Sequence, residues 1–260
     1  MRRIHLLLPL ALLVLAAGCG QKQSQSAVET TTVKVASATK QTNAQKPAAA
    51  AKIAGDDDAQ VTKRLTVLQA YTEKQIPGVK FPAFTPFAAR DGINAAAKGD
   101  VGDYTVYFST SSQELTPHAA PLALHKQTPT STAEADNAYA ALAYQPVGKA
   151  QGQTGLTGDV RALLRTDAKG TSLIWDQGKY SLTVRAAAHE TAAAKTFAEK
   201  IEAIVAQNPL PKTETHGAIV LNLEKHSGRL NTVSWREGSA YYTISGQDAM
   251  ATLKLAIAVS

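Results

Sequence analysis

The sequence predicts an α+β fold in which antiparallel sheet is covered by helices. Segments with helical spacing of apolar residues alternate with short runs rich in β-branched and aromatic residues. Two segments of the C-terminal half are alike, which indicates an internal repeat of a β-meander followed by a helix. The first 60 of the 260 residues lack any such pattern. We therefore expect a globular region over residues 61–260, with sub-domains 61–145 and 146–260 left open.

The first part of this region predicts two helices around one strand. Apolar residues at helical spacing predict a helix that begins near residue 61 and ends at Ile76-Pro77. Residues 104–109 (YTVYFS) predict a strand, and residues 132–144 predict a second helix. Between them, residues 111–130 are polar and contain proline, apart from an apolar stretch at 119–124. We predict no further regular element there.

An aromatic segment follows the first helix. Phe81, Phe84 and Phe87 are interleaved with Pro82 and Pro86, and these prolines exclude a regular strand interior. One interpretation is an irregular segment that fixes aromatic rings over the core. The other is an aromatic lip on a binding cleft.

The C-terminal half predicts the same order of elements twice, namely three strands and then an amphipathic helix. The first set comprises strands near 159–165, 171–176 and 179–186 and a helix over 191–207. The second comprises strands near 217–223, 231–236 and 240–245 and a helix over 247–258. A hairpin with one apolar face needs such a helix laid on it to become stable.

Aromatic residues mark corresponding places in the two repeats, 60 positions apart for the tryptophans. The markers are Trp175, Gly178 and Tyr180 in the first copy and Trp235, Gly238 and Tyr241 in the second. The structural interpretation is that tryptophan and tyrosine pair across strands and fill the core. The alternative is a ligand site in which both tryptophans face one groove. With the three phenylalanines, these aromatic residues form the predicted binding surface.

The N-terminus carries a targeting pattern. Arg2 and Arg3 precede an apolar run, residues 6–17, of about 12 residues, which is too short to span a bilayer as a helix. Residues 15–19 then read Leu-Ala-Ala-Gly-Cys, ending in the single cysteine of the chain. This pattern resembles the lipobox of bacterial lipoproteins. The resemblance implies a signal peptide over 1–18, cleavage between Gly18 and Cys19, and a diacylglyceryl group on Cys19.

Lipidation has consequences for location. Stable anchoring by acyl chains would hold residues 19–260 at the outer face of a bacterial cell membrane, away from cytosolic cofactors. Residues 20–60 contain no aromatic residue and no leucine, so we expect the 19–60 segment to be a disordered tether. The sequence does not decide between hosts with and without an outer membrane.

The C-terminal half, about residues 150–260, resembles a group of uncharacterised domains found in Gram-positive lipoproteins and membrane-anchored anti-sigma-like proteins. These domains carry a tryptophan, a turn at glycine, a tyrosine and a closing amphipathic helix. Some are similar to the lipoprotein-carrier fold, a curved antiparallel sheet with helices on its concave side. The resemblance brings no catalytic residues to this chain.

Motifs for catalysis and for cofactors do not appear. The sequence has no nucleophile elbow, no P-loop and no dinucleotide fingerprint. His189-Glu190 begins like a zinc-protease helix, but alanine stands at position 193, where the second histidine is needed. We expect no cofactor and no metal. Acidic candidates for an envelope enzyme, Asp159, Asp176 and Glu190, look like surface charges.

Charge and composition limit the partners. Residues 61–260 carry 20 Lys/Arg against 17 Asp/Glu, without a dense basic cluster, so no nucleic-acid footprint is expected. The prediction is a non-catalytic envelope lipoprotein that binds an envelope protein, a wall polymer or a lipid. A carrier or sensor of an apolar ligand is the main alternative, and an envelope-acting enzyme the lesser one.

Overall fold

The computed structural model describes residues 59–147, 154–156 and 159–260. The signal peptide, Cys19 and nearly all of the predicted tether lie outside these residues. The first described element is helix α1, Ala59–Gln75, which buries Val61, Leu65 and Leu68 and ends at Ile76-Pro77 as predicted. An irregular segment then leads to strands β1, Asn94–Gly99, and β2, Asp103–Ser109.

The remaining elements complete an α+β fold. After β3, Leu122–Gln127, come α2, Thr132–Ala141, and the two-residue strand β4, Thr154–Gly155. The two repeats follow in chain order. The first is β5, Arg161–Asp167, β6, Gly170–Gln177, β7, Tyr180–Ala186, and α3, Thr191–Gln207. The second is β8, Gly217–Asn222, β9, Asn231–Glu237, β10, Ala240–Gly246, and α4, Ala249–Ala258.

One sheet joins all the strands of the described residues, in the order β1-β2-β3-β10-β9-β8-β7-β6-β5-β4. Neighbouring strands are antiparallel except β7 and β8, which are parallel. The parallel pair follows from the repeat. Each repeat has three alternating strands, so its last strand and the first strand of the next copy point the same way, and α3 provides the crossover.

The predicted repeat is confirmed in its strands, turns and helices, but Tyr180 and Tyr241 are not equivalent, because Ala240 is the residue that begins β10 as Tyr180 begins β7. In both copies a two-residue turn joins the second and third strands, and its first residue, Gly178 or Gly238, has φ +60°. A positive φ at the first position alone is typical of a type II′ turn, for which glycine is preferred. The register pairs Trp175 through Leu182 and Ile219 with Val233, and Trp235 is two residues beyond Val233 on β9, so the two tryptophans lie on the same face of the sheet.

Helices α1, α3 and α4 pack on that face: α1 on β1, α3 on β6 and β7, and α4 on β9 and β10. The core lies between them and the sheet. Helix α2 is on the second face, where Ala138 and the helix C-cap Leu142 bury Tyr241 of β10. Successive side chains of a strand point to opposite faces, and Tyr242 belongs to the core, so Tyr241 faces away from the core.

Three strands were not predicted, and one of them, β4, has only the two residues Thr154–Gly155. Strand β1 has the sequence NAAAKG, which contains no β-branched or aromatic residue. Strand β3 lies in the segment for which no regular element was expected. Both are strands because they pair with neighbours: β1 with β2, and β3 with β2 on one side and β10 on the other. Tertiary pairing here overrides a weak local preference.

Candidate functional site

The two tryptophans of the predicted binding surface lie in the core. Trp175 and Trp235 are both 0% exposed, and each indole Nε1 has no hydrogen-bond partner among the described residues. The ring of Trp235 stacks on Tyr242 with ring centroids 5.1 Å apart. At about 200 Å² of surface each, burial of these two side chains contributes about 5 kcal/mol apiece before conformational entropy is counted. The structure therefore gives them the core role weighed in the sequence analysis.

The two tyrosines of the predicted surface are on opposite sides of the sheet. Tyr180 is buried in the core and its hydroxyl donates to the carbonyl oxygen of Pro211 at 2.7 Å. Tyr241 is buried on the second face, under α2. These residues therefore do not form one surface with the tryptophans.

The phenylalanines belong to an irregular segment, as predicted, and all three are partly buried against the core. The ring of Phe81 meets Phe108 edge-on, with centroids 5.6 Å apart. The amide of Ala83 donates to Ala258 O at 2.8 Å, which fixes the segment to the end of α4. Phe87 lines an open cavity of about 350 Å³ beside Lys225 and Asp248. The segment thus covers the core, and one ring reaches a cavity.

The second face of the sheet differs in composition from the core face. Its central rows carry small and polar side chains, among them Ser181, Thr183, Ser234 and Thr243. Ser234 and Thr243 share a hydrogen bond between their hydroxyl groups at 3.1 Å. Such a row of hydroxyl groups offers both donors and acceptors to whatever lies above it.

A short stretch of chain, residues 142–147, crosses this face and is called the strap below. The amide of Gln145 donates to Ser181 Oγ at 3.0 Å, and the amide of Val147 donates to Asp176 Oδ2 at 2.9 Å. The strap also stacks Tyr144 on His216, with centroids 4.3 Å apart and rings 12° from parallel. It is therefore held to β6 and β7 by side chains of the sheet.

Asp176, on β6, is the acidic residue that the strap contacts. Desolvation raises the pKa of its carboxyl above the ordinary value, while the Val147 amide and the nearby His216 act in the opposite direction. One of its carboxylate oxygens accepts a hydrogen bond from the Val147 amide of the strap.

A groove lies beside the strap, with Gln145 on one side and the ends of β5, β6 and β7 on the other. It consists of two adjoining cavities of about 470 and 260 Å³ that share Lys169, Arg185 and Ala186. Ile174 and Thr183 lie near the strap, and Ser172 lies farther along β6. The volume is in the range of small-molecule sites. We call this feature the basic groove.

Sheet register places the polar residues of the groove in one row. Arg165 of β5 pairs with Ser172 of β6, which pairs with Arg185 of β7, which pairs with Asn222 of β8. Residues paired in this way share a face of the sheet. Two strand spacings separate the Cα atoms of the two arginines, which is about 10 Å.

The cations of the groove are not neutralised within the described chain. The side chains of Arg165, Lys169 and Arg185 are exposed, and none has an ion pair or hydrogen bond with a described residue. The lining also includes two carboxylates, Asp167 in the larger cavity and Glu224 in the smaller. The Asp167 carboxylate accepts a hydrogen bond from the backbone amide of Lys169, at 2.7 Å. The larger cavity therefore holds three cations against one anion, which suits an anionic ligand.

The groove was not predicted from the sequence. Its arginines are 20 positions apart, and each looks like an ordinary solvent-facing residue of its strand. The strand register could have revealed it. Leu173 and Val184 face the core, and Arg165 and Arg185 lie in the next row of paired residues, so both arginines point to the second face. A correct pairing of the three strands would have brought them together.

Comparisons with known proteins give no relative: no family model, curated protein or solved structure matches the chain. Over the described residues, no helix has the length and hydropathy needed to cross a bilayer. In that same part of the chain, no group of three or more His, Cys, Asp or Glu side chains is arranged to hold a metal ion.

Proposed function

We propose that this protein is a non-catalytic lipoprotein of the bacterial cell envelope and that the basic groove is its binding site for an anionic ligand. The observation that carries the binding proposal is the row of Arg165, Ser172 and Arg185, whose two guanidinium groups have no partner among the described residues. Guanidinium groups form paired hydrogen bonds with phosphate and carboxylate, and the serine hydroxyl adds a donor between them.

The core supports binding in the groove over transport of an apolar ligand between sheet and helices. A carrier of that kind needs an apolar cavity on the helix-covered face. The space there is occupied by Trp175, Trp235 and the leucines around them, all at 0% exposure, and the four cavities described on the chain surface are lined by none of these tryptophans. Interiors packed in this way leave no room for a ligand without repacking.

The membrane part of the proposal rests on the lipobox-like residues 15–19. With Cys19→Ala, the acyl acceptor is lost, so we expect the protein to accumulate as unprocessed precursor or to leave the membrane. The measurement is cell fractionation together with the intact mass of the chain. A Cys19→Ala protein that is still processed and membrane-bound would contradict the lipoprotein assignment.

The groove can be tested by protection of arginines from phenylglyoxal, mapped by mass spectrometry. The lipidated chain is held in vesicles of neutral phosphatidylcholine, and inorganic phosphate is added at constant ionic strength. At twice the dissociation constant, labelling of Arg165 and Arg185 is expected to fall by a factor of about 3. Arg90, an exposed arginine outside the groove, serves as the internal control and should be unaffected. Equal protection of all three would remove the groove as a specific site.

A further inference from the structure

We infer that the ligand of the basic groove is a phosphodiester polymer of the envelope, bound with successive phosphate groups on Arg165 and Arg185. This inference rests on the proposed function, because it names the ligand class of the same site. The geometry behind it is the two-strand separation of these arginines across Ser172.

The size of the groove favours a ligand longer than one phosphate. The larger cavity alone is about 470 Å³, within the range of roughly 300–1,000 Å³ for sites that hold drug-sized ligands, which are larger than one phosphate group. The smaller cavity continues from Arg185 past Asn222 to His226. A single anion would contact one part of this length and leave the rest filled with water.

The distribution of charge favours a chain with separated charges. The arginines are about 10 Å apart at their Cα atoms, counted as two strand spacings. Each can make its own paired hydrogen bonds to a phosphate. Lys169, in the turn between β5 and β6, contributes a third cation to the same cavity. Linked binding at two such points raises affinity without any new type of contact.

The rim of the groove argues against a membrane surface as the occupant. Amphipathic helices that lie in the plane of a bilayer insert large apolar side chains. None of the exposed large apolar residues of the described chain lines either cavity; these residues are Val67, Tyr71, Val101, Tyr139, Leu164 and Leu230. Asp167 and Glu224 at the groove would in addition repel a surface of anionic headgroups.

The test compares ligands in the same phenylglyoxal assay on the lipidated chain in phosphatidylcholine vesicles. The probes are glycerol phosphate, an oligomer of glycerol phosphate, and vesicles made with phosphatidylglycerol in place of added ligand. We expect the oligomer to protect both arginines at a phosphate concentration about tenfold lower than the monomer. In Arg185→Gln, the advantage of the oligomer over the monomer should disappear at Arg165. Lys200→Gln, an equal change of charge on the far side of α3, is the matched control and should keep the advantage.

Each other outcome overturns the inference in a distinct way. Equal protection by monomer and oligomer would mean a single anion and would leave the proposed function intact. Protection by phosphatidylglycerol vesicles without protection by the oligomer would assign the groove to a lipid headgroup. If no anion, inorganic phosphate included, protects Arg165 and Arg185 from phenylglyoxal, the groove is not an anion-binding site and the proposed function is wrong as well.

Discussion

At the scale of single residues, buried tyrosines make the stability of this fold depend on pH in alkaline solution. Burial raises the pKa of Tyr104, Tyr180 and Tyr242, because the charged phenolate is disfavoured away from water. In the unfolded chain the same groups ionise near pH 10. The folded state therefore holds the proton more tightly. The stability that these groups contribute is present below about pH 10 and is lost as pH rises above it.

Tyr242→Phe separates this effect from hydrogen bonding. The Tyr242 hydroxyl has no hydrogen bond among the described residues, whereas that of Tyr180 donates to Pro211 O. At pH 7 we expect the free energy of unfolding to change by no more than about 0.5 kcal/mol. At about pH 11 the variant should be the more stable protein, since one ionisable group is gone. Urea unfolding followed by tryptophan fluorescence at both pH values measures this.

The control for this prediction is Tyr71→Phe, because the Tyr71 side chain is 59% exposed on α1. Its substitution should leave the pH dependence as it is. A Tyr242→Phe protein that loses stability above pH 10 as steeply as the parent would show that Tyr242 is not protected from ionisation by the fold.

At the scale of elements, the strap gives the basic groove one of its sides. It is a short stretch without regular structure, and two of its amides, those of Gln145 and Val147, donate to the side chains of Ser181 and Asp176. A side chain of the sheet thus takes the place of the backbone partner that a strand would provide. The position of Gln145 at the groove depends on these contacts.

Ser181→Ala is expected to loosen the strap. The change removes the acceptor of the Gln145 amide, at a cost of about 1 kcal/mol. The Gln145 amide should then exchange with solvent about fivefold faster, while amides within β6 and β7 keep their protection. Hydrogen exchange read at single-residue level measures this.

Ser172→Ala is the matched control on the neighbouring strand, because the Ser172 side chain has no hydrogen bond with a described residue. It should leave exchange at Gln145 unchanged and weaken phosphate binding instead. If both variants speed exchange at Gln145 equally, the bond to Ser181 is not what holds the strap.

At the scale of the whole molecule, one sheet joins the first three strands to the repeats. Strand β3 pairs with β10 over six residue pairs, from Leu122–Gly246 to Gln127–Tyr241. The apolar residues of β2 and β3, such as Phe108 and Leu124, lie in the same core as Trp235. We therefore predict that β1–β3 and the repeats unfold together, in a single transition.

Leu124→Ala tests this prediction. Leu124 is 0% exposed, so its truncation should cost about 2–5 kcal/mol. The unfolding midpoint should fall equally when read by Trp175 and Trp235 fluorescence and when read by hydrogen exchange in β2. A shift seen only in β2 would mean that residues 61–145 form a separate unit. Val67→Ala, at a residue that is 55% exposed, is the control and should shift neither.

The sequence by itself determined the local elements and the repeat. The predicted helices over 191–207 and near 61–75 are present because their apolar spacing shows which face of each helix is buried. The two Trp-to-Gly turns were recognised because glycine at positive φ is a local requirement. The α+β class follows from these elements, since each meander needs a helix over its apolar face.

Only the tertiary structure decided the rest. Strand β1 has no local preference for a strand and exists through its pairing with β2. The tryptophans could face a ligand or the core, and packing of α3 and α4 on their face buries them. The basic groove depends on which residue of β5 stands beside Ser172 and on where the strap crosses. Periodicity along a chain reports burial, whereas register between strands is fixed by contacts among distant residues, and the row of Arg165, Ser172 and Arg185 is a product of register.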